Sequence, residues 1–253
     1  MYSFVDISAN LVLMVEKLQA KEIKPKLDTL ITEAETVNTD LASRLKLIKS
    51  WIKDTKPGAL TKKSELIFFL RELIEDVEQW LALAELNNSD RAIALSLLTP
   101  AERYWLTELF PRWFANQDPK LRIWKQELMA GNFESKDRRV LNILSDIVKK
   151  RGGSITLRYI ADFSMATDLI VSGVLEKPLC VQLTITNEYL LDEKKDNWKD
   201  TLRYWQIVRG IFISYNPGNK KGSELDVIKR LSNYLLASAN NLPDSCYIED
   251  TID

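Results

Sequence analysis

The sequence predicts an α+β protein: an antiparallel helical bundle over residues 1–132, then a domain over 133–253 in which helices and strands alternate. Three observations carry this. Apolar residues recur every three or four positions through most of the chain up to Leu81, the period of amphipathic helices. The run from Asp168 to Asn187 alternates like two strands around a tight turn. Gly210–Tyr215 is a short apolar run stopped by Asn216-Pro217-Gly218, the pattern of a buried strand.

Taken in order, Ile7, Leu11, Met14 and Leu18 form a narrow seam and predict a helix over 4–21. Lys24-Pro25 is expected to break it, because proline has no N–H to donate and restricts the residue before it. Leu27, Leu30, Ala34, Val37, Leu41, Ile48 and Trp51 then keep a heptad-like seam, with Arg44 the single lapse and Leu45 beside it. One long helix from Lys26 to Lys53 is expected, ended by Lys56-Pro57-Gly58. Thr61 to Glu65 reads as the next start, and Leu66, Phe69, Leu70, Leu73, Val77, Trp80 and Leu81 carry a third seam. Long helices joined by short breaks fold back on one another. The seams serve either as the core of that bundle or as faces for a homodimer or protein partner.

Shorter helices follow. Asn88-Ser89-Asp90 is a capping pattern for a helix through Leu97 or Leu98, and Thr99-Pro100-Ala101-Glu102 is another with proline at the first helical position. The second opens a segment rich in Trp105, Leu106, Leu109, Phe110, Trp113 and Phe114. Asp118-Pro119 opens one more helix with Leu121, Trp124 and Leu128. These aromatics suit base stacking or an ordinary core. Gly131-Asn132 marks the boundary between the two halves.

In the second half, Ser135 is placed as a cap for a helix striped by Val140, Ile143, Leu144, Ile147 and Val148, with Asp146 toward its other side and Gly152-Gly153 at its end. Ile155–Ile160 alternates weakly and suggests a strand. The strand pair comes next. A helix near Asp192 to Val208 directs Trp198, Leu202, Trp205 and Val208 inward and lines its other side with Lys195, Lys199, Arg203 and Gln206. After the Gly210–Tyr215 strand, Ser223 caps a last helix, and the acidic tail beyond Pro243 is expected to be loose.

Composition narrows the chemistry. The 253 residues hold 35 Lys and Arg against 36 Asp and Glu, which excludes a uniformly basic coat for nucleic acid but leaves a local basic face open. With no histidine, Ser-His-Asp and Cys-His sites, histidine bases and histidine-ligated zinc are excluded. Cys180 and Cys246 form no CxxC pair, which fits reduced cysteines in a cytoplasmic protein. The first 22 residues lack a basic start and carry interspersed charges, so neither a signal peptide nor a membrane span is expected.

The strand pair holds the chemically suggestive residues. Leu179, Val181, Leu183 and Ile185 form an apolar face, while Cys180, Gln182, Thr184 and Thr186 share the opposite one. Asp168 opens the neighbouring strand. Asp168 followed by Gln182-x-Thr184 on the next strand, in the order helix, three strands, helix, strand, resembles the PD-(D/E)XK nuclease superfamily over the last 115–120 residues. The run VQLTITNEY…W…TLRYWQIVRGIFISYNPG also looks like a set of bacterial proteins built on that core. The resemblance implies a restriction-endonuclease-like αβββαβ core with a mixed sheet.

In that superfamily the first acid and the acid on the second strand bind magnesium, a lysine two residues later handles the attacking water, and a helix acid assists. Magnesium prefers hard oxygen ligands and acidifies a bound water, and residues two apart on a strand reach one phosphate together. Carried over, Asp168 is the first metal ligand, Gln182 stands where the second acid would be, Thr184 stands where the lysine would be, and Asp146 is the nearest helix acid. Gln182 offers magnesium only a neutral amide oxygen and Thr184 offers no charge. A displaced cation could come from Lys195, Lys199 or Arg203 at four-residue spacing. Three functions follow as expectations. One is a nucleic-acid-associated protein, on DNA or RNA, with doubtful cleavage. Another is a magnesium-dependent endonuclease with a displaced basic residue, and the third is a protein-interaction or oligomerisation module.

Overall fold

The computed structural model describes residues 18–131, 138–184, 191–215 and 224–252. The expected helix over 4–21, the Ser135 and Ser223 caps, Ile185 to Asn187 and the Asn216-Pro217-Gly218 stop lie at least partly outside these residues. The protein is α+β, mostly helical, with a five-stranded mixed sheet toward its C-terminus. It divides into two compact units, 1–98 with 106–134, and 99–105 with 135–253. The short segment Thr99–Trp105 thus groups with the C-terminal unit, which a single boundary near Gly131-Asn132 does not provide. No helix among the described residues is long and apolar enough to cross a membrane.

The N-terminal unit contains α1 (Ala20–Val37), α2 (Thr39–Ile52), α3 (Pro57–Leu60), α4 (Ser64–Glu85) and α5 (Asn88–Leu97), and later α7 (Phe110–Ala115) and α8 (Leu121–Ala130). Two expectations need correction. Pro25 does not break a helix; it lies inside α1, early enough that little of the hydrogen-bond ladder is lost. The expected Lys26–Lys53 helix is instead split at Asn38, whose extended backbone ends α1 and whose side chain accepts N–H bonds from Asp40 and Leu41 to cap α2. Likewise Asn87, one residue earlier than expected, caps α5. The seam residues Leu27, Leu30, Ala34, Leu41, Leu45, Ile48, Leu66, Phe69, Leu70 and Leu73 are buried. The lapse at Arg44 is resolved by its guanidinium, which donates to the carbonyls of Trp113 and Asn116 and lies over the Trp113 ring. Phe110, Trp113 and Phe114 are buried against one another, so they form core rather than an open stacking surface.

The C-terminal unit contains α6 (Pro100–Tyr104), α9 (Arg138–Lys150), β1 (Ser154–Thr156), α10 (Tyr159–Met165), β2 (Leu169–Ser172), β3 (Leu179–Thr184), α11 (Leu191–Tyr204), β4 (Arg209–Tyr215), α12 (Glu224–Asn241) and β5 (Cys246–Ile252). The expected strand over 155–160 is only three residues long, and Tyr159 begins a helix. The tail after Pro243 is not loose; Cys246–Ile252 joins the sheet. The α11 helix ends at Tyr204, so Val208 is exposed rather than inward-facing. The sheet order is β1-β2-β3-β4-β5, with β1–β2 and β2–β3 antiparallel and β3–β4 and β4–β5 parallel.

Strand alternation gives the sheet two different faces. Leu169, Val171, Leu179, Val181, Ile211 and Ile213 join Val140, Leu144 and Val148 of α9 and Ile228, Leu231 and Leu235 of α12 in one buried cluster. On the other face α11 covers β4 and β5: Trp198 packs edge-on against Phe212 and Tyr247. Cys180 and Cys246 fall on opposite faces and neither forms a disulfide among the described residues. Arg209 ties α12 to the sheet by donating to the carbonyls of Pro178, Ala239 and Leu242, and burial lowers its pKa. The bonds to Ala239 and Leu242 satisfy carbonyls at the end of the helix.

Candidate functional site

Asp168 lies one residue before β2. The chain reaches it through Ala166, which ends α10 in the left-handed conformation at φ +50°, and through Thr167, which is buried and bonded back to α10. The register Leu169↔Val181 then sets Asp168 against Gln182. Gln182 Nε2 donates to Asp168 Oδ2 at 2.8 Å, and the Leu183 N–H donates to the same oxygen at 2.5 Å. The Gln182 amide nitrogen also reaches the Leu183 carbonyl at 3.3 Å. The carboxylate expected to open the strand is thus held by two donors of the next one. Thr184, half-buried, follows two residues later and pairs with Ser214.

Along the sheet, Gln182 pairs with Phe212 and Phe212 with Glu249, so the row ends on a carboxylate of β5. Lys195 Nζ lies 3.3 Å from Glu249 Oε2, and Lys199 pairs with the other oxygen. These bonds, Lys199's first, hold the Glu249 carboxyl below its ordinary value even though burial pushes it up. Arg203 pairs with Asp200 of its own helix at 2.7 Å. Among the described residues, Lys195 and Lys199 both pair with Glu249, and Lys195 also with Asp192, rather than with Asp168.

Asp146 is not part of this arrangement. It is exposed on α9, the helix that packs against the opposite face of the sheet. The magnesium implied by the resemblance therefore does not fit the residues present. Asp168 is the one carboxylate of the proposed set near the motif, Gln182 turns its nitrogen toward it rather than its oxygen, and no group of three acidic or cysteine side chains suited to a metal occurs among the described residues. Glu249 escaped the sequence reading because it lies in the acidic tail. Its signal was the alternation of Cys246, Ile248 and Ile252 with Tyr247, Glu249 and Thr251.

No protein-family model, no curated protein and no solved structure matches this chain.

Proposed function

We propose that this chain is a nucleic-acid-associated protein whose C-terminal unit keeps the layout of a PD-(D/E)XK nuclease core without its hydrolytic chemistry. The observation that carries the proposal is the pairing of Asp168 with Gln182 and the Leu183 N–H across β2 and β3. Kinship is supported by the order of the first four strands, two antiparallel pairings followed by a parallel one, with α11 between β3 and β4. Loss of cleavage is supported by the donor chemistry. Hydrogen bonds from an amide and a backbone N–H satisfy a carboxylate oxygen that a hydrolytic site would give to a cation. Lys195, Lys199 and Arg203 are the candidate phosphate contacts, and their ion pairs on and beside α11 keep them folded onto the domain until a phosphate competes for them.

Fluorescence anisotropy with single- and double-stranded DNA and RNA tests this. Binding that falls steeply with rising salt, with no cleavage in magnesium or manganese, is the expected result. Flat anisotropy for every substrate at low salt removes the association. Metal-dependent cleavage that disappears in Asp168→Ala restores the endonuclease with a displaced basic residue.

A second reading, a protein-interaction module, is favoured by α5. Ile93 and Leu97, one turn apart on that helix, are 59% and 51% exposed. Sedimentation that depends on concentration in the parent chain but not in Ile93→Asp/Leu97→Asp supports self-association through this face.

A further inference from the structure

We propose that the N-terminal unit carries a binding cleft for a small amphipathic carboxylate, an apolar ring bearing one carboxylate group. The cleft lies between α2 and the start of α8 and has a volume of about 610 Å³, within the range of sites that hold small organic molecules. One face of α2 supplies Asp40, Arg44, Leu47 and Trp51, which recur at three- and four-residue steps. Phe114, Leu121, Arg122 and Lys125 line the other side.

The charges in the cleft divide into two kinds. Arg44 and Asp118 are committed to the fold. Arg44 is buried on the carbonyls of Trp113 and Asn116, and Asp118 Oδ2 receives the indole N–H groups of Trp113 and Trp124, each at 3.2 Å. Arg122 and Lys125 are different. They lie one turn apart on α8, and no acidic side chain pairs with either among the described residues. Lys125 stands 5.4 Å over the Trp51 ring, which anchors one cation at the Trp51 end of the cleft. Asp40 is eleven residues before Trp51 on α2, roughly 16 Å along the axis, so its charge does not cancel that end.

Apolar surface completes the site. Leu47 is 43% exposed in the middle of the cleft although it sits on a helix whose other apolar residues are buried. Leu47, Leu121 and Phe114 offer a ring a dry flank, while Arg122 and Lys125 offer its carboxylate a charge-assisted pair. A ring without the charge, or the charge without a ring, engages only half of the site.

Isothermal titration of the full chain with 2-naphthoate, 2-naphthylmethanol and acetate tests the proposal. Saturable one-site binding of naphthoate is expected, with the alcohol and acetate each weaker by about tenfold or more, about 1.4 kcal/mol. Arg122→Ala/Lys125→Ala should weaken naphthoate by a similar factor, and Leu47→Asp should abolish its binding by removing the apolar contact and repelling the carboxylate. These three positions are exposed or half-exposed, and circular dichroism checks that the variants fold. No saturable heat with naphthoate, equal binding of the alcohol, or binding unchanged in either variant overturns the proposal.

Discussion

Gln182 presents its amide nitrogen, not its oxygen, to Asp168, 2.8 Å from Oδ2. Gln182→Glu would set two carboxylates at that distance. The variant loses a hydrogen bond and gains like-charge repulsion, which raises the carboxyl pKa values and costs about 1–3 kcal/mol at neutral pH. A second hard oxygen would then face Asp168, so magnesium should recover part of the loss. Thermal unfolding with and without magnesium checks this. A lower Tm for the variant, raised by magnesium more than that of the parent, is expected. Identical melting of both proteins under both conditions contradicts it.

Glu249 governs a separate dependence on acid. Lys199 first, and Lys195 after it, hold its carboxyl below the ordinary value of 4.5. A depressed value in the folded state means that the pairing stabilises fully above 4.5 and loses its effect as pH falls through the folded value. Glu249→Gln should therefore lower Tm at neutral pH, with the gap to the parent closing under acid. The lysines are 22% and 30% exposed, so the neutral-pH effect is modest, on the order of 0.2–1 kcal/mol. A gap that widens on acidification would reverse the sign and refute this assignment.

Gly210 fixes how closely α11 approaches β4. A Cβ there would stand 2.4 Å from Leu202 Cδ1 and 2.9 Å from Trp198 Cζ2. Leucine's tip can swing aside, but the indole is held between Phe212 and Tyr247. Gly210→Ala should cost about 1–3 kcal/mol, the usual range for overpacking a filled core. Urea unfolding at an unchanged slope measures it, and a midpoint equal to that of the parent would show that α11 is free to move outward.

The strand pair was legible because its turn signals and alternation jointly set the register: Gly173 and Lys177-Pro178 bracket the turn, and every second residue of β3 is apolar. That register is what brings Asp168 to Gln182. Which amide atom faces the carboxylate was not legible, since the Leu183 N–H and carbonyl that orient it are set by strand pairing. β5 was missed because the parallel pairing of 246–252 with 209–215 joins segments separated by a whole helix, and acidic residues next to a proline read locally as tail. The break at Asn38 had a visible signal, an asparagine followed by Thr39-Asp40, which the unbroken apolar seam outweighed. Lys195 and Lys199 read as a free stripe because their partner, Glu249, is 50 or more residues away.

Asp118 is the polar centre of the α7–α8 turn. Its Oδ2 accepts from the indole nitrogens of Trp113 and Trp124, its Oδ1 accepts from the Lys120 N–H at 2.9 Å, and the residue is 5% exposed. Asp118→Asn keeps the shape but turns one acceptor into a donor facing donors. Depending on which way the amide turns, either the two indole N–H groups or the Lys120 N–H lose their acceptor, a loss of about 1–3 kcal/mol or somewhat more because the acceptor was charged. Trp124 also packs against Trp51 and Phe69, so the change should shift tryptophan emission as well as the denaturation midpoint. Stability equal to that of the parent, with unaltered emission, would mean that water replaces the carboxylate and that the turn is held by apolar packing alone.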